Sequence, residues 1–160
     1  MFRVSAPESR SPRMIDVGDK DVTQRVAVAE GALRMDAATL GAIVRGEAPK
    51  GDPLPVARIA GIQGAKRTPE LIPLCHPLPL TGADVELHID ESLPGVRARA
   101  TVKTRARTGV EMEALAAVTT ALLTVYDMAK ALDRGMRLED VRVVRKEGGR
   151  SGTWTEEASS

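Results

Sequence analysis

An aspartate and a lysine stand three residues apart near the end of the longest apolar stretch of the chain. Asp127 and Lys130 belong to LTVYDMAKA (123–131), so on a helix they lie on one face. In water such a pair is a surface salt bridge that contributes little to stability. The apolar neighbours indicate partial burial, which lets a carboxylate and an amine share acid–base work. Both interpretations remain open on these residues alone.

The chain's only cysteine adjoins one of its two histidines in the proline-rich segment LIPLCHPLPLTG (71–82). Three functions are compatible with that pair. A metal site requires three or four ligands, and His88 is the only other soft ligand. A Cys75–His76 nucleophilic dyad is disfavoured because adjacent residues of an extended segment point to opposite sides. A rigid loop that presents His76 to a substrate is favoured, since prolines fix φ and lower the entropic cost of ordering.

Three lysines accompany glycines or a helix start, where anions commonly bind. Lys66 lies in GIQGAKRT, Lys146 begins KEGGRSG, and Lys50 stands just before a predicted helix. Backbone N–H groups of glycine turns and helix N-termini bind anions such as phosphate. Each motif alone is more often an ordinary turn, and GIQGAKRT does not meet the phosphate-loop pattern.

Composition excludes several function classes. The 160 residues have a net charge of +1 and contain one Phe, one Trp and one Tyr, which argues against a protein that stacks nucleic-acid bases on aromatic rings. No signal peptide is recognisable, and the uncharged run 114–126 is shorter than the roughly 20 residues of a membrane span. One cysteine excludes an intrachain disulfide and suits a reducing, cytoplasmic compartment. We therefore expect neither a nucleic acid nor a membrane as partner.

Hydrophobic periodicity predicts strands and helices that alternate around one hairpin. The strands are predicted at 25–35, 83–90, 96–108 and 138–149, and the helices at 36–46, 53–68 and 109–133. Asp52 and Pro53 predict the start of the second helix, and Thr108 to Glu111 match a capping box for the third. The pattern predicts one α+β domain over residues 14–152, with a flexible arm at 1–13 and a flexible tail at 153–160.

The long predicted helix has two apolar stripes. One contains Leu115, Val118, Leu122, Val125, Ala129 and Leu132, and the other contains Met112, Ala116, Thr119, Leu123, Asp127 and Lys130. Two stripes require two burial partners, the helix's own sheet and a second surface. A homo-oligomer is favoured, and a helix enclosed within one compact domain is the alternative.

Several motifs together resemble those of the MoaC family of molybdenum cofactor biosynthesis. They are MIDVGDK, KGDPLPVARIAGIQGAKRT, LIPLCHPLPLTG, TGVEMEAL, LTVYDMAKA and KEGGRSG, which occur in order over residues 14–152. The resemblance implies a ferredoxin-like α+β fold, an antiparallel sheet with helices on one face, and a hexamer of three dimers with sites between subunits. It also implies conversion of 3′,8-cyclo-7,8-dihydroguanosine 5′-triphosphate to cyclic pyranopterin monophosphate, with release of diphosphate.

The resemblance also assigns residue roles. It implies catalytic roles for Asp127, Lys130 and Lys50, and substrate binding by Leu74, Cys75, His76, Glu111, Met112, Glu113, Lys66, Lys146 and Arg25. No cofactor and no metal ligand set is expected. The chain departs from the family at Gly18, where Ser or Thr is usual, and in an N-terminal arm that lacks the usual histidine.

The implied chemistry divides these residues into two sets. Cations neutralise the triphosphate, while Lys130 shuttles protons during the ring rearrangement and Asp127 orients or recharges Lys130. Two other functions stay open, a sensor that binds a nucleotide without turnover and a purely structural assembly module. Loss of turnover with retained binding in an Asp127 or Lys130 variant would favour the enzyme, and absence of saturable triphosphate binding would favour the structural module.

Overall fold

The structure is a computed structural model that describes residues 11–157. Its elements are β1 (Thr23–Arg34), α1 (Ala37–Val44), α2 (Pro53–Lys66), α3 (Thr68–Leu71), β2 (Leu80–Asp90), β3 (Gly95–Ala106), α4 (Glu111–Ala129), β4 (Arg137–Glu147) and β5 (Trp154–Thr155). The strands form one antiparallel sheet in the order β2-β3-β1-β4-β5. The central strand β1 is the first element of the sheet in the sequence, and both strands that pair with it, β3 and β4, lie more than 60 residues later in the chain.

Two helices cover one face of this sheet. α4 packs on β1, β3 and β4, while α2 packs on α4 and β2. The core between them is aliphatic, with fully buried Ala29, Val102, Val118 and Leu122. The predicted α+β architecture with helices on one face of an antiparallel sheet is confirmed, and it is consistent with a ferredoxin-like fold.

Glycines bring α2 and α4 close together. A Cβ atom at Gly61 would lie 2.9 Å from the Ala117 carbonyl oxygen, and one at Gly64 would lie 3.0 Å from that of Ala116. Gly61 faces a later part of α4 than Gly64 does, so the two helices run antiparallel. The start of α2 therefore lies beside the end of α4. This arrangement brings Lys50, just before α2, next to Asp127 near the end of α4.

The predicted hairpin is confirmed. β2 and β3 pair in antiparallel register, with Val85 opposite Ala100. Along β3 the buried residues Val96, Ala98 and Ala100 alternate with the exposed arginines of the helix-free face. The alternation of apolar and charged residues therefore correctly predicted which side chains of β3 face the core and which face solvent.

The predicted capping box at the start of α4 is wrong. The helix begins at Glu111, and Val110 occupies the N-cap position without a side-chain cap. The Glu111 carboxylate binds Lys146 of β4, 2.6 Å away, instead of the Thr108 backbone that a capping box would require. The helix ends at Ala129, earlier than the predicted residue 133. By contrast, Asp52 caps α2 as expected, because its side chain accepts a hydrogen bond from the backbone N–H of Leu54 at 3.0 Å.

Two short elements were not among those predicted, the single turn α3 and the two-residue strand β5. β5 pairs with β4 opposite Arg145 and Lys146. Most of the predicted arm at 1–13 and the last three residues of the predicted tail lie outside the described residues.

By length and composition alone, α4 would be long and apolar enough to cross a membrane. Half of that stretch is buried inside the protein, and core helices of soluble proteins meet the same criterion. Its residues Ala117, Ala121 and Val125 are fully enclosed by the sheet and α2. The burial explains the apolar composition without a membrane.

Candidate functional site

Three of the predicted site residues meet at the C-terminal end of α4. The carboxylate of Asp127 binds the ammonium groups of Lys130 at 2.7 Å and Lys50 at 2.9 Å. Lys50 reaches it because the loop before α2 lies next to the last turn of α4. All three side chains are about half exposed. We call Lys50, Asp127 and Lys130 the lysine–aspartate cluster.

The two lysines determine the charge state of this cluster. Hydrogen bonds from Lys130 and Lys50, with their positive charges, lower the pKa of Asp127 to about 2. A carboxylate with so low a pKa is ionised throughout the physiological range and accepts protons poorly at neutral pH. The carboxylate therefore suits orientation of two ammonium groups better than general-base work.

A second group of predicted residues lies at the opposite end of the same helix. Glu111, the first residue of α4, is half-buried and binds Lys146 of β4 at 2.6 Å. Burial raises the pKa of Glu111, but the hydrogen bond from Lys146 and the charges of Lys146 and Arg25 outweigh it, so the pKa is lowered. Glu111 is therefore an ionised carboxylate beside two cations.

Two adjoining cavities surround this end of α4. The first has a volume of about 460 Å³ and is lined by Lys20, Asp21, Thr23, Arg25, Thr108, Gly109, Glu111, Lys146, Gly149, Arg150 and Ser151. The second, of about 440 Å³, is lined by Ile15, Val17, Lys20, Ile72, Leu74, Cys75, His76, Thr108, Gly109, Glu111 and Met112. We call them the basic cavity and the loop cavity. Four residues, Lys20, Thr108, Gly109 and Glu111, line both, so the cavities form one concave surface with a charged side and a more apolar side.

The Cys75–His76 segment forms part of the loop cavity. His76 Nε2 donates a hydrogen bond to the carbonyl oxygen of Ile15 at 2.7 Å, which ties the segment to the N-terminal stretch. Cys75 Sγ instead lies 3.8 Å from Glu113 Oε1. Because thiol and imidazole have different partners, this geometry does not form a nucleophilic dyad.

Glu113 is an acidic residue enclosed beneath that loop. The residue is only 2% exposed, and its Oε2 atom has no hydrogen-bond partner within residues 11–157. Burial, together with the nearby charge of Glu111, raises the pKa of Glu113 despite hydrogen bonds from its own backbone N–H and from Cys75. Burial and then the charge of Glu113 likewise raise the pKa of Cys75. The thiolate form is disfavoured, which argues against a nucleophilic cysteine.

The structure therefore divides the predicted residues into two groups. Glu111 and Asp127 stand about 24 Å apart along α4 at 1.5 Å per residue. Lys66 belongs to neither group, since it is exposed at the end of α2 and has no ion pair within the described part of the chain. A search of residues 11–157 also finds no cluster of three His, Cys, Asp or Glu side chains suited to a metal ion.

Comparison with known protein families identifies the family of the chain that carries these two groups of residues. The sequence model of the MoaC family matches residues 14–149. The chain belongs to the MoaC family. The matched region contains every residue of the lysine–aspartate cluster and of both cavities except Arg150 and Ser151.

Curated relatives within the MoaC family match over nearly the whole chain. A cyclic pyranopterin monophosphate synthase of Cereibacter sphaeroides is 59% identical over 145 residues, which cover 91% of each chain. One from Dinoroseobacter shibae is 60% identical over 144 residues, or 90% of this chain and 91% of the relative. The Brucella ovis protein of the same name is 56% identical over 147 residues, or 92% and 89%.

Lys20 and Thr23 were not among the predicted site residues of this MoaC chain, although they line the basic cavity. Lys20 ends the MIDVGDK motif, which was the available sequence signal. The atypical Gly18 of that motif acts through its backbone, since its N–H binds Asp16 at 2.8 Å and its carbonyl accepts a hydrogen bond from Arg107. A side chain at that position is not needed for either contact.

Proposed function

We propose that the protein is a cyclic pyranopterin monophosphate synthase of molybdenum cofactor biosynthesis. It converts 3′,8-cyclo-7,8-dihydroguanosine 5′-triphosphate to cyclic pyranopterin monophosphate and diphosphate. The observation that carries the proposal is the identity of 59% over 91% of both chains with a relative of that name. The basic cavity and the lysine–aspartate cluster support it, because a polyanionic substrate that must exchange protons needs both kinds of site.

The phosphates are the first requirement of this substrate. Arg25 and Lys146 lie at the basic cavity and, with Lys50 and Lys66, neutralise the triphosphate and orient its α-phosphate. The loop cavity takes the ring portion, with Leu74, Cys75 and His76 on one wall and Met112 on another. Glu111 fixes Lys146 between these two parts, and Glu113 supports the Cys75 loop from below.

The chemistry then proceeds in two stages. The purine-derived ring opens and recloses as a pterin, which requires proton transfers at nitrogen and carbon. A ribose hydroxyl next attacks the α-phosphorus, its proton leaves, and the bond to the β-phosphate breaks as diphosphate departs. Lys130 moves protons in the first stage, Asp127 holds it in place, and Lys50 stabilises the phosphates or the leaving group. The low pKa of Asp127 supports an orienting role.

The separation of the two groups supports an active site made by two copies of the chain. Reacting groups must lie within a few ångströms of one another, and about 24 Å of helix separates Glu111 from Asp127. Apolar side chains on the outer surfaces of α2 and α4 remain exposed in one copy, namely Val56, Ile59, Met112 and Leu123. Such a surface suits burial against another subunit. We therefore propose a homo-oligomer, a hexamer built as three dimers, in which one copy supplies the cavities and another the lysine–aspartate cluster.

The remaining features belong to the same proposal. Residues 14–152 form the catalytic unit, which needs no cofactor or resident metal, and the protein acts in the cytoplasm. The single cysteine suits that reducing compartment.

Turnover of the substrate itself tests the function. Pure protein incubated with the cyclised dihydroguanosine triphosphate should release diphosphate and give a pterin that fluoresces after oxidation. The Asp127→Ala and Lys130→Ala variants should lose product formation while still binding the substrate in calorimetry. Saturable binding without product in the unaltered protein would instead identify a nucleotide sensor, and no binding at all would identify a structural module.

A further inference from the structure

The segment before β1 forms part of the loop cavity without belonging to the sheet. Ile15, Val17 and Lys20 line that cavity, yet residues 14–20 form neither a helix nor a strand. Within this segment the Lys20 N–H binds the Val17 carbonyl at 3.0 Å. We call residues 14–20 the N-terminal strap. A segment outside the helices and strands opens easily, so side chains from other parts of the chain determine how firmly it is held.

Arg107 holds the C-terminal end of the strap. Its Nη1 donates hydrogen bonds to the carbonyl oxygens of Gly18 and Lys20, the latter at 3.1 Å. Arg107 is the first residue after β3, which ends at Ala106, so the guanidinium extends from a paired strand. A cationic donor makes hydrogen bonds roughly twice as strong as a neutral one. These two bonds therefore couple the strap to the sheet.

His76 holds the N-terminal end of the strap through the bond from its Nε2 to the Ile15 carbonyl at 2.7 Å. Because His76 itself lines the loop cavity, a substitution there would change the cavity and the strap together. Arg107 lines neither of the two cavities, so its side chain can affect a ligand only through the strap or through its charge. Substitution of Arg107 therefore isolates the effect of the strap once the charge is controlled.

We infer that Arg107 is a positioning residue, which holds the strap as a wall of the loop cavity before a nucleotide binds. That the nucleotide is the substrate rests on the function proposed above. With Arg107 in place, the cavity wall is formed in advance, and binding does not have to order it. Without Arg107, the strap occupies its place for a smaller fraction of the time, and the apparent affinity falls by that fraction.

Hydrogen exchange of the strap amides measures this restraint directly. Arg107→Met keeps an unbranched apolar side chain but removes the guanidinium, and we expect the amides of residues 14–20 to exchange about tenfold faster, with those of α4 unchanged. The backbone carbonyl of Arg107, which accepts a hydrogen bond from Arg25 Nη2 at 3.3 Å, is retained in the variant. Arg107→Lys should restore most of the protection, because an ammonium can also donate to two carbonyls.

The matched control is Arg105→Met. Arg105 is also exposed on β3 and lies opposite Gln24 of β1, so the variant loses the same charge two residues away. Strap exchange in Arg105→Met should equal that of the unaltered protein. Unchanged strap exchange in Arg107→Met, or an equal rise in Arg105→Met, would overturn the inference. Thermal unfolding checks that all the variants are folded.

Calorimetric titration with GTP tests the consequence for the cavity without any need for turnover. Arg107→Met should weaken GTP binding about tenfold, whereas Arg107→Lys and Arg105→Met should each stay within about threefold of the unaltered protein. With the substrate itself, KM should rise about tenfold in Arg107→Met and kcat should stay within about twofold. GTP binding that is unchanged in Arg107→Met would overturn the positioning role, as would no GTP binding by the unaltered protein.

The inference and the proposed function fail separately. Faster strap exchange with weaker GTP binding, in a protein that forms no product, would support the role of Arg107 and refute the enzyme. Product formation with an unchanged KM in Arg107→Met would refute the role of Arg107 alone.

Discussion

The two ends of α4 carry carboxylate–lysine pairs in opposite surroundings. At the N-terminal end, Glu111 and Lys146 are about two-thirds buried beside a cavity, and Glu113 is almost fully enclosed. At the C-terminal end, Asp127 and its two lysines are half exposed and border none of the cavities described above. Water screens the second group far more strongly than the first.

In the function proposed above, this difference in exposure separates the residues that bind the substrate from those that react with it. A partly buried, concave surface can already recognise a ligand, whereas an exposed ion cluster needs a cover before its charges act strongly. We therefore propose that the N-terminal end is a nearly complete binding site in one copy, and that the C-terminal end is reactive machinery that another copy encloses. The predictions below test this division, from the largest expected effect to the smallest.

The largest effect is expected at the exposed end. Asp127→Asn should lower kcat by about 10²- to 10⁴-fold with a small change in KM, because it removes the carboxylate that orients the proton-carrying Lys130. Steady-state diphosphate release measures both constants. The control is Asp84→Asn, since Asp84 pairs with Arg58 at 3.1 Å and is similarly exposed. Equal losses in the two variants would contradict a specific role for the lysine–aspartate cluster.

At the buried end, displacement of Arg25 should weaken substrate binding and leave the reaction step largely intact. Gly149→Ala places a methyl group against the Arg25 guanidinium, and we expect KM to rise about tenfold. The control is Gly152→Ala, because Gly152 also has a positive φ, +68°, but open space around its Cβ position. A similar rise in both would mean that backbone strain, not the arginine, is responsible.

Glu113 should lower stability at neutral pH. Its folded pKa is raised above 4.5, so the folded state holds the proton more tightly and stability falls as pH rises through 4.5 toward that raised value. We expect Glu113→Gln to be more stable than the unaltered protein by about 1 kcal/mol at pH 8, with the gain vanishing near pH 4. Urea unfolding at both pH values measures this, and a less stable variant at pH 8 would contradict it.

Glu111, unlike Glu113, should raise the stability of the protein at neutral pH, and its effect should be smaller. Its folded pKa is lowered from 4.5, so its contribution to stability is complete above 4.5 and is lost as pH falls through the folded pKa. Glu111→Gln should therefore lower stability at pH 8 by less than about 1 kcal/mol, since the pair is partly solvated. The same urea series measures it, and a stabilised variant would refute the effect attributed to Lys146.

Local patterns in the sequence account for much of the fold. Alternation predicted β2 and β3, and the Asp52–Pro53 pair predicted the start of α2. The single turn α3 and the two-residue β5 are too short for any periodic pattern to indicate. The capping box failed because Glu111 binds a lysine from a distant strand, which local sequence does not reveal.

Contacts between distant parts of the chain also limited what could be predicted of the candidate site. Residue types and motifs marked Asp127 and Lys130 together, since they share a helical face. The contact with Lys50 spans 77 positions and depends on the antiparallel packing of α2 on α4. Thr23 gave no local signal of chemistry and Lys20 only its place at the end of the MIDVGDK motif, because the cavity wall that contains them forms only when β1 meets the N-terminal stretch.

Complementation between two inactive variants tests most directly whether the ends of α4 come from different copies. Asp127→Ala and Lys146→Ala are each expected to be inactive, and co-expressing them with different tags gives mixed oligomers. A shared site predicts recovery of about one quarter of the unaltered activity, because random pairing joins one intact cavity end with one intact lysine–aspartate cluster in that fraction of sites. Mixed oligomers that stay inactive would show that each copy carries a complete site and would contradict the account.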